Sequence, residues 1–339
     1  MRRLAFILAA LTIVSTAPAS AGDEVPQPPS WAQQQIEQVV AHGLMAPSVE
    51  AFRPDDPLTH AELAELLAAM SGEAPTFPDP ELPVSVRELD AQLVKLVGLQ
   101  PVALQIRNAI AGAGLKAPPL VGSETVARLL GLRTNHPLDL DAIEPLPDDL
   151  ASRAETAYSV ARVLELGEAE RQYVTALGAA FSLPALTDWQ KLVLMRALRF
   201  VGYPYVWGGA SEKPQAPLGE EVPGGFDCSG FVWRVYKVQP FADAPALTDV
   251  FRGRTTYEMS SEVDNSERIP LEGIEPADVL FFGAGPDSKP KQIDHMGIYL
   301  GNGWMIHASS EGTTLSPLAD WYIQAFAWAR RPLAEAGLV

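Results

Sequence analysis

The sequence predicts an α+β protein in which an all-helical, repeat-like region precedes a domain with helices packed on an antiparallel sheet. Two observations lead to this prediction. Apolar residues recur at helical spacing through most of 31–165, whereas short apolar or alternating runs follow Tyr203 and are separated by Gly, Pro, Asn and Asp. The length of 339 residues is enough for two or three domains.

The N-terminus has the pattern of an export signal. Arg2 and Arg3 form a basic start, residues 4–14 are an almost unbroken apolar run, and residues 19–21 have an A-x-A cleavage pattern. The run is too short to anchor the chain stably in a bilayer. We therefore predict that residues 1–21 are a signal peptide and that the mature protein has no stable membrane span; a retained N-terminal anchor is the alternative.

Charge and cysteine content narrow the function classes. The formal net charge is −17, so a broad basic face is not expected and we predict no nucleic-acid partner. The chain has one cysteine, which cannot form an internal disulfide. The cysteine is then either a small buried apolar residue or a reactive thiol, and its neighbours decide between the two.

Residues 22–165 contain three copies of one pattern. An acidic, proline-rich loop leads to a Ser or Thr, then to a Glu three residues later and an apolar-periodic helix. The copies centre on Thr59, Ser85 and Ser152, and each pair of Ser or Thr with Glu is a capping-box pattern that predicts a helix start. The sequence therefore predicts a duplicated helical unit.

These copies resemble S-layer homology modules, best over 31–70 and 145–165. His60 stands where that family usually has Arg, whereas Arg153 keeps the basic residue. The resemblance implies a cell-wall polymer as a possible partner of the helical region. The alternative is a generic all-helical domain with well-capped helices.

A linker is predicted over 166–188, followed by the second domain over 189–335. A helix is expected from Asp188, because Trp189, Val193, Ala197 and Phe200 fall on one stripe. The strand-like runs come later and read DVLFFG, HMGIYLG, WMIHAS and AFAWARR. Their order, helices first and strands afterwards, is typical of an α+β domain.

The cysteine lies in the stretch FDCSGFVWRVYK, which predicts a helix start. Asp227 suits the N-cap, so Cys228 would be the first helical residue, beside free backbone N–H groups and the positive end of the helix dipole. These groups favour a thiolate and can hold the oxyanion formed when a carbonyl is attacked. Adjacent glycines, including Gly230, are expected to leave the backbone open to a substrate.

A cysteine nucleophile needs a base, usually a histidine. His295 and His307 flank the turn signal GNG at 301–303, so they are expected to be opposite or diagonal neighbours on adjacent strands. One imidazole can then orient the other, although hairpin geometry does not decide which is the base. A zinc site is the alternative for these three residues, but a first-turn cysteine beside glycines fits oxyanion stabilisation better.

The second domain resembles the NlpC-type papain-like cysteine peptidases of bacterial cell walls over about 190–332, through the ordered motifs YPYVWGG, FDCSGFV, RTTYEM, PADVLFF, IDHMGIYLGNGWMIHAS and ARR. The resemblance implies a papain-like fold and hydrolysis of peptidoglycan stem peptides, commonly between D-glutamate and the following diamino acid. It implies Cys228 as nucleophile, His295 as base and His307 as third residue. We expect neither a metal nor another cofactor.

The same resemblance implies substrate-binding residues. Tyr205 would lie in or near the oxyanion hole, and Asp227 and Ser229 would contact the substrate beside the nucleophile. In some members of the family these two residues help to bind the free amine of an L-Ala-D-Glu peptide. Residues 254–256 are further candidates for the edge of the cleft.

Two features depart from the family pattern. Residues 210–226 separate Gly209 from Asp227 where the family usually has a handful, and this insertion could narrow the cleft or change which peptides fit. Ala277 stands where glycine is usual in a P-G-D turn, and alanine disfavours a positive φ. The turn is therefore expected to differ.

The sequence thus predicts a secreted peptidoglycan endopeptidase of the cell wall or cell envelope, with a Cys-His-His thiolate mechanism. Two other functions stay open at this point. One is an amidase or acyl transferase on the same papain-like scaffold, and the other is a non-catalytic protein that binds the cell wall.

Overall fold

The computed structural model describes residues 30–135 and 143–338, so the predicted signal peptide lies outside the described residues. The first part is all helical, as predicted. Its helices are α1 Gln33–Ala41, α2 His60–Ser71, α3 Val86–Leu96, α4 Gln100–Gly112, α5 Val121–Leu129, α6 Arg153–Glu165 and α7 Glu168–Ala180.

The three predicted helix starts are the starts of α2, α3 and α6, and the segments before them pair in a ring. The N–H of Leu58 donates to the carbonyl of Ala151, that of Ala151 to Val84, and that of Val84 back to Leu58, at 2.8–2.9 Å. In this ring each segment both gives and receives a main-chain hydrogen bond. This cyclic pattern supports the predicted duplication; the likeness to S-layer homology modules stays a prediction.

The caps of these helices differ in one place from the prediction. Thr59 and Glu62 form the full capping box, and the Ser152 hydroxyl accepts from the N–H of Glu155. Ser85 makes no side-chain cap. The N–H of Glu88 instead donates to the main-chain carbonyl of Ser85 at 3.1 Å. The Glu88 carboxylate lies 3.1 Å from His60 Nε2, an interaction between two copies that no local pattern reveals.

The segment predicted as a linker, 166–188, is largely helical. It contains α7, which packs against α4 so closely that a Cβ at Gly178 would lie 2.2 Å from Val102 Cγ1. The proline-containing stretch after α7 is the connection that remains. The domain boundaries at 165 and 189 stay predictions, because one apolar core continues across them from Ala32 to Leu333.

The second part carries the predicted sheet. Its elements are α8 Asp188–Leu198, β1 Ala210–Ser211, β2 Gly225–Phe226, α9 Cys228–Trp233, α10 Leu247–Val250, α11 Thr256–Ser261, β3 Val279–Phe282, β4 His295–Gly301, β5 Trp304–Ser309, β6 Gly312–Pro317, α12 Trp321–Ala325, β7 Phe326–Arg330 and α13 Pro332–Glu335. Strands β3 to β7 form an antiparallel sheet in the order β6-β5-β4-β3-β7. The predicted α+β class is confirmed.

The sheet is covered on both faces. Alternate residues of β3 point to opposite sides, so Phe281 joins the large core shared with the helices, whereas Phe282 joins a smaller cluster with Met305 and Phe326. Helix α9 packs on β4 and β5. Every helix that the structure describes falls short of the length and hydrophobicity that a bilayer crossing needs.

Candidate active site

Cys228 is the first residue of α9 and Asp227 is its N-cap, as the sequence predicts. The Asp227 carboxylate accepts a hydrogen bond from the backbone N–H of Gly230, which satisfies one of the free amides of the first turn. Cys228 is only 8% exposed, because α9 packs on the sheet from this end onward. The fold therefore places the thiol at the junction of helix and sheet.

The surroundings of the sulfur hold it as a neutral thiol in the ligand-free protein. Burial, and next the Asp227 carboxylate, raise the pKa of Cys228 to about 12, although hydrogen bonds from the backbone N–H groups of Met296, Ser229 and Cys228 lower it. The prediction that the first turn makes this sulfur anionic is therefore wrong for the ligand-free state. Desolvation of a buried charge outweighs the hydrogen bonds that the turn supplies.

The two C-terminal histidines meet across the β4–β5 hairpin. Gly297 pairs with His307, so His295 is a diagonal neighbour of His307. His295 Nε2 lies 2.8 Å from His307 Nδ1. Gly297 leaves the space for this contact, because a Cβ there would lie 3.0 Å from His307 Cβ. Of the two arrangements that the sequence predicts, opposite or diagonal, the structure has the diagonal one.

A third side chain, Ser316 of β6, completes this chain of hydrogen bonds. Its Oγ lies 2.9 Å from His307 Nε2. If Ser316 accepts from His307 Nε2–H, then His307 Nδ1 must accept from His295 Nε2–H. His295 Nδ1 is then unprotonated, which is the tautomer a general base needs. Sequence reasoning missed Ser316, because it did not identify β6.

An aromatic wall surrounds the imidazoles. The rings of Phe282 and Trp321 lie 5.7 and 6.5 Å from that of His295, and the Tyr322 ring lies 5.3 Å from that of His307. Burial lowers the pKa of His295 to about 4. Burial, and next the His295 charge, hold the pKa of His307 well below its usual range. Both imidazoles are therefore neutral at pH 7.

The sulfur and the imidazoles belong to elements in direct contact. The N–H that Met296 donates to the sulfur belongs to the residue directly after His295, so the start of β4 lies against Cys228. Among the described residues, no hydrogen bond joins the sulfur to either imidazole. The arrangement is that of a neutral thiol beside a neutral, oriented imidazole pair.

Tyr205 lies beside the nucleophile through main-chain pairing. The N–H of Val206 donates to the carbonyl of Phe226 at 3.1 Å, and the N–H of Phe226 donates to the carbonyl of Pro204 at 3.2 Å. Tyr205 is therefore held next to the strand that leads into Cys228. The structure thus brings the predicted residue Tyr205 to the start of α9.

Asp227, Ser229 and Arg254 form a hydrogen-bond network. Ser229 Oγ accepts from Arg254 Nη1 at 2.7 Å and donates to Asp227 Oδ1 at 2.9 Å, while the N–H of Gly208 donates to Asp227 Oδ2 at 2.9 Å. Arg254 Nη1 also lies 3.4 Å from Asp227 Oδ1. Both carboxylate oxygens thus already have partners within the fold.

The glycine beside the nucleophile serves close packing. A Cβ at Gly230 would lie 1.8 Å from the carbonyl oxygen of Gly209. The expectation that Gly230 leaves the backbone open to a substrate is therefore wrong, since this space is filled by protein.

The P-G-D-like turn also differs from expectation, because Ala277 itself takes a φ of 73°. That left-handed conformation costs an alanine about 1 kcal/mol.

The insertion over 210–226 is an ordered hairpin that borders the helix start. Its ends pair as β1 and β2. Glu212 forms a bidentate ion pair with Arg234, which follows α9, at 2.7 and 2.6 Å, and these bonds lower the pKa of Glu212 to about 2. Pro217 lies against Gly208. The insertion is therefore tied to the nucleophile helix; a role in narrowing the cleft stays a prediction.

No group of three or more His, Cys, Asp or Glu side chains within 30–135 and 143–338 is arranged to hold a metal ion. A cysteine at a helix start and two paired histidines on an antiparallel sheet are the site of the second part, and its sequence matches a known family. Residues 202–331 match the NlpC/P60 family, and these residues form a domain of that family.

Two curated bacterial proteins show the extent of the similarity. The chain is 32% identical over 136 residues to the bifunctional muramidase/DL-endopeptidase CwlT of Bacillus subtilis, which covers 40% of this chain and 34% of that protein. It is 27% identical over 119 residues to the gamma-D-glutamyl-L-lysine dipeptidyl-peptidase of Bacillus subtilis, covering 35% and 32% of the two chains. The chain therefore spans about a third of the length of these relatives.

One solved structure is similar to part of this chain. The crystal structure of an NlpC/P60 family protein from Bacillus cereus is 26% identical, and the match covers 45% of this chain and 43% of that chain with a TM-score of 0.32.

Proposed function

We propose that this protein is a secreted cysteine endopeptidase that hydrolyses peptidoglycan stem peptides in the cell wall or envelope. The observation that carries the proposal is the single cysteine at a helix start against the strand that begins with His295, whose imidazole is oriented by His307 and Ser316. This arrangement pairs a nucleophile with an oriented base, which acyl transfer from an amide requires.

The chemistry follows from the neutral state of both groups. His295 Nδ1 takes the thiol proton as the Cys228 sulfur attacks the carbonyl carbon, and the backbone N–H of Cys228 and the Tyr205 hydroxyl stabilise the oxyanion. The C–N bond then breaks, and the leaving amine takes the proton from His295. Water attacks the thioester and gives a proton to His295, and the sulfur regains it as the acid leaves.

We propose the amide between D-glutamate and the following diamino acid as the bond that is cut. The name of the second relative places its own cleavage at γ-D-glutamyl-L-lysine, and the name of the first describes a DL-endopeptidase. Asp227 and Ser229 are proposed to line the substrate side of the nucleophile. The helical region is proposed to bind a cell-wall polymer.

The test is the set of peptide products from purified peptidoglycan and from stem tetrapeptides. We expect wild-type protein to release L-Ala-D-Glu ends with free γ-carboxyl groups, identified by mass spectrometry. Loss at the bond between the muramoyl group and L-Ala would instead indicate an amidase, and a new acyl conjugate would indicate a transferase. Absence of any product between pH 5 and 9 would favour a non-catalytic protein that binds the wall.

The pH dependence of kcat/KM should reveal the neutral resting pair. The base form of His295 is the unprotonated ring, which is present above its pKa of about 4 and lost as pH falls through that value. The thiol stays protonated up to about pH 12. We therefore expect a plateau from about pH 5 to 10 in a stopped assay. A bell with an alkaline limb near pH 8 would instead indicate a preformed thiolate–imidazolium pair.

Acetylation of the substrate amine should matter little. Since Arg254 already pairs with Asp227 and Ser229, an ammonium group would have to displace it. We expect kcat/KM for a free L-Ala-D-Glu-diamino acid peptide and for its N-acetyl form to agree within about threefold. Loss of a real charged contact would cost about 1–3 kcal/mol and would lower kcat/KM by more than this. The Arg254→Met variant, which removes the cation paired with the Asp227 carboxylate, should prefer the free amine. A drop above tenfold on acetylation in the wild type would contradict this.

A further inference from the structure

We propose that Asn135 of the helical region is a positioning residue of the active site, which it serves by holding the main chain of Tyr205. Two experiments test this inference. The kinetic experiment rests on the proposed function, whereas the hydrogen-exchange experiment rests on geometry alone. Asn135 lies between α5 and α6, in the region that the sequence assigns to a separate, wall-binding role. Its side chain instead reaches the segment beside the nucleophile.

The contacts of Asn135 use both ends of its carboxamide. Its Nδ2 donates to the carbonyl oxygen of Tyr205 at 2.7 Å, and its Oδ1 accepts from the N–H of Glu144 at 3.2 Å. Its own N–H donates to the carbonyl of Ser310 at 3.2 Å. The residue is only 3% exposed, so these bonds are shielded from water. Asn135 therefore joins the Tyr205 segment to the turn between β5 and β6.

That turn connects the strands of His307 and Ser316. The same turn is held from the helical region by the buried Arg128, which donates to the carbonyls of Gly202 (2.8 Å) and Glu311. A Cβ at Gly312 would lie 2.2 Å from Arg128 Nη1, so the approach depends on a glycine. Two side chains of the helical region thus reach the two segments that flank the site.

An amide is the side chain that this position requires. Aspartate could still accept from Glu144, but it would face the Tyr205 carbonyl with a negative oxygen instead of a donor. Alanine would remove the buried hydrogen bond that Asn135 Nδ2 donates to that carbonyl. Both changes remove this side-chain anchor of the Tyr205 main chain, whereas neither touches Cys228 or an imidazole.

The first experiment is hydrogen–deuterium exchange on the full chain. In Asn135→Ala and Asn135→Asp, we expect the peptide spanning 203–209 to exchange at least about tenfold faster than in the wild type, with α9 unchanged. The matched control is Ser182→Ala, which deletes the hydrogen bond that the Ser182 hydroxyl, in the connection after α7, accepts from Asn302 in the turn between β4 and β5. Unchanged exchange over 203–209 in both Asn135 variants would overturn the proposal, whether or not the protein is a peptidase.

The kinetic experiment separates positioning from general stability. We expect Asn135→Ala to lower kcat about tenfold with KM within twofold, and Ser182→Ala to leave both unchanged. If Asn135 acts through Tyr205, its effect in a Tyr205→Phe background should shrink below about threefold. A full tenfold effect in that background, or a Tyr205→Phe variant as active as the wild type, would overturn the proposal. An inactive wild type would instead count against the proposed function alone.

Discussion

Cys228→Ala should lower kcat/KM for stem-peptide hydrolysis by about 10,000-fold or more, the size of effect seen when a covalent nucleophile is removed. No other cysteine exists in the chain to replace it. The remaining groups could only orient water, and the neutral His295 would then have no thiol to deprotonate. The measurement is product release from a stem tetrapeptide, quantified by mass spectrometry at saturating and low substrate concentrations.

The fold should survive this change, which keeps the test interpretable. Alanine removes one heavy atom from a site that is 8% exposed, so a loss of about 1 kcal/mol in unfolding free energy is expected. It also removes no hydrogen bond from the cap, since Asp227 accepts from Gly230. Equal hydrolysis by the alanine variant and the wild type would exclude Cys228 as the nucleophile.

The second large effect is expected at His295. His295→Ala should lower kcat by about a thousandfold, within the range that general acid–base catalysis contributes. The thiol, with a pKa raised to about 12, then has no base to take its proton at neutral pH. Activity of the variant should rise about tenfold per pH unit toward pH 10, because hydroxide must ionise the thiol directly.

The matched control for this variant is His42→Ala. His42 lies at the end of α1, where its Nδ1 contacts the Gln38 carbonyl, far along the chain from the site. We expect its kcat to equal that of the wild type. A His295→Ala variant that keeps more than a tenth of the wild-type kcat at pH 7 would show that another group is the base.

The sequence predicted those features of the fold that depend on residues close to one another in the chain. The capping box at Thr59, the helix start at Cys228 and the pairing of His295 with His307 across a GNG turn are all short-range features. Strand β6 was missed because Gly312–Pro317 reads GTTLSP, which has one large apolar residue and no alternation, although the sheet buries nearly all of it. Ser316 was therefore missed with it.

Features that depend on tertiary contacts could not be predicted. The side chain of Arg254 reaches Ser229 from a loop 25 residues later, and Asn135 reaches Tyr205 from 70 residues earlier. Helix α7 follows α6 closely, and its packing on α4 makes it a helix where composition favoured a linker. No spacing rule in one sequence reveals such contacts.

The protonation state of the site shows the same limit in energetic terms. The helix start does supply the N–H groups that favour a thiolate, as the sequence predicts. How deeply the sulfur is buried is a property of the packed molecule, and burial is the larger cause. The direction of the pKa shift therefore follows from the fold and not from the motif.

Transfer of the acyl group to hydroxylamine tests the central claim most directly, that the Cys228 sulfur takes the D-glutamyl acyl group from the stem peptide. Wild-type protein turning over a stem tetrapeptide in hydroxylamine should yield L-Ala-D-Glu γ-hydroxamate in proportion to the nucleophile, and Cys228→Ala should yield none. Hydrolysis that produces only free acid at every hydroxylamine concentration, or the same products from the alanine variant, would contradict the account.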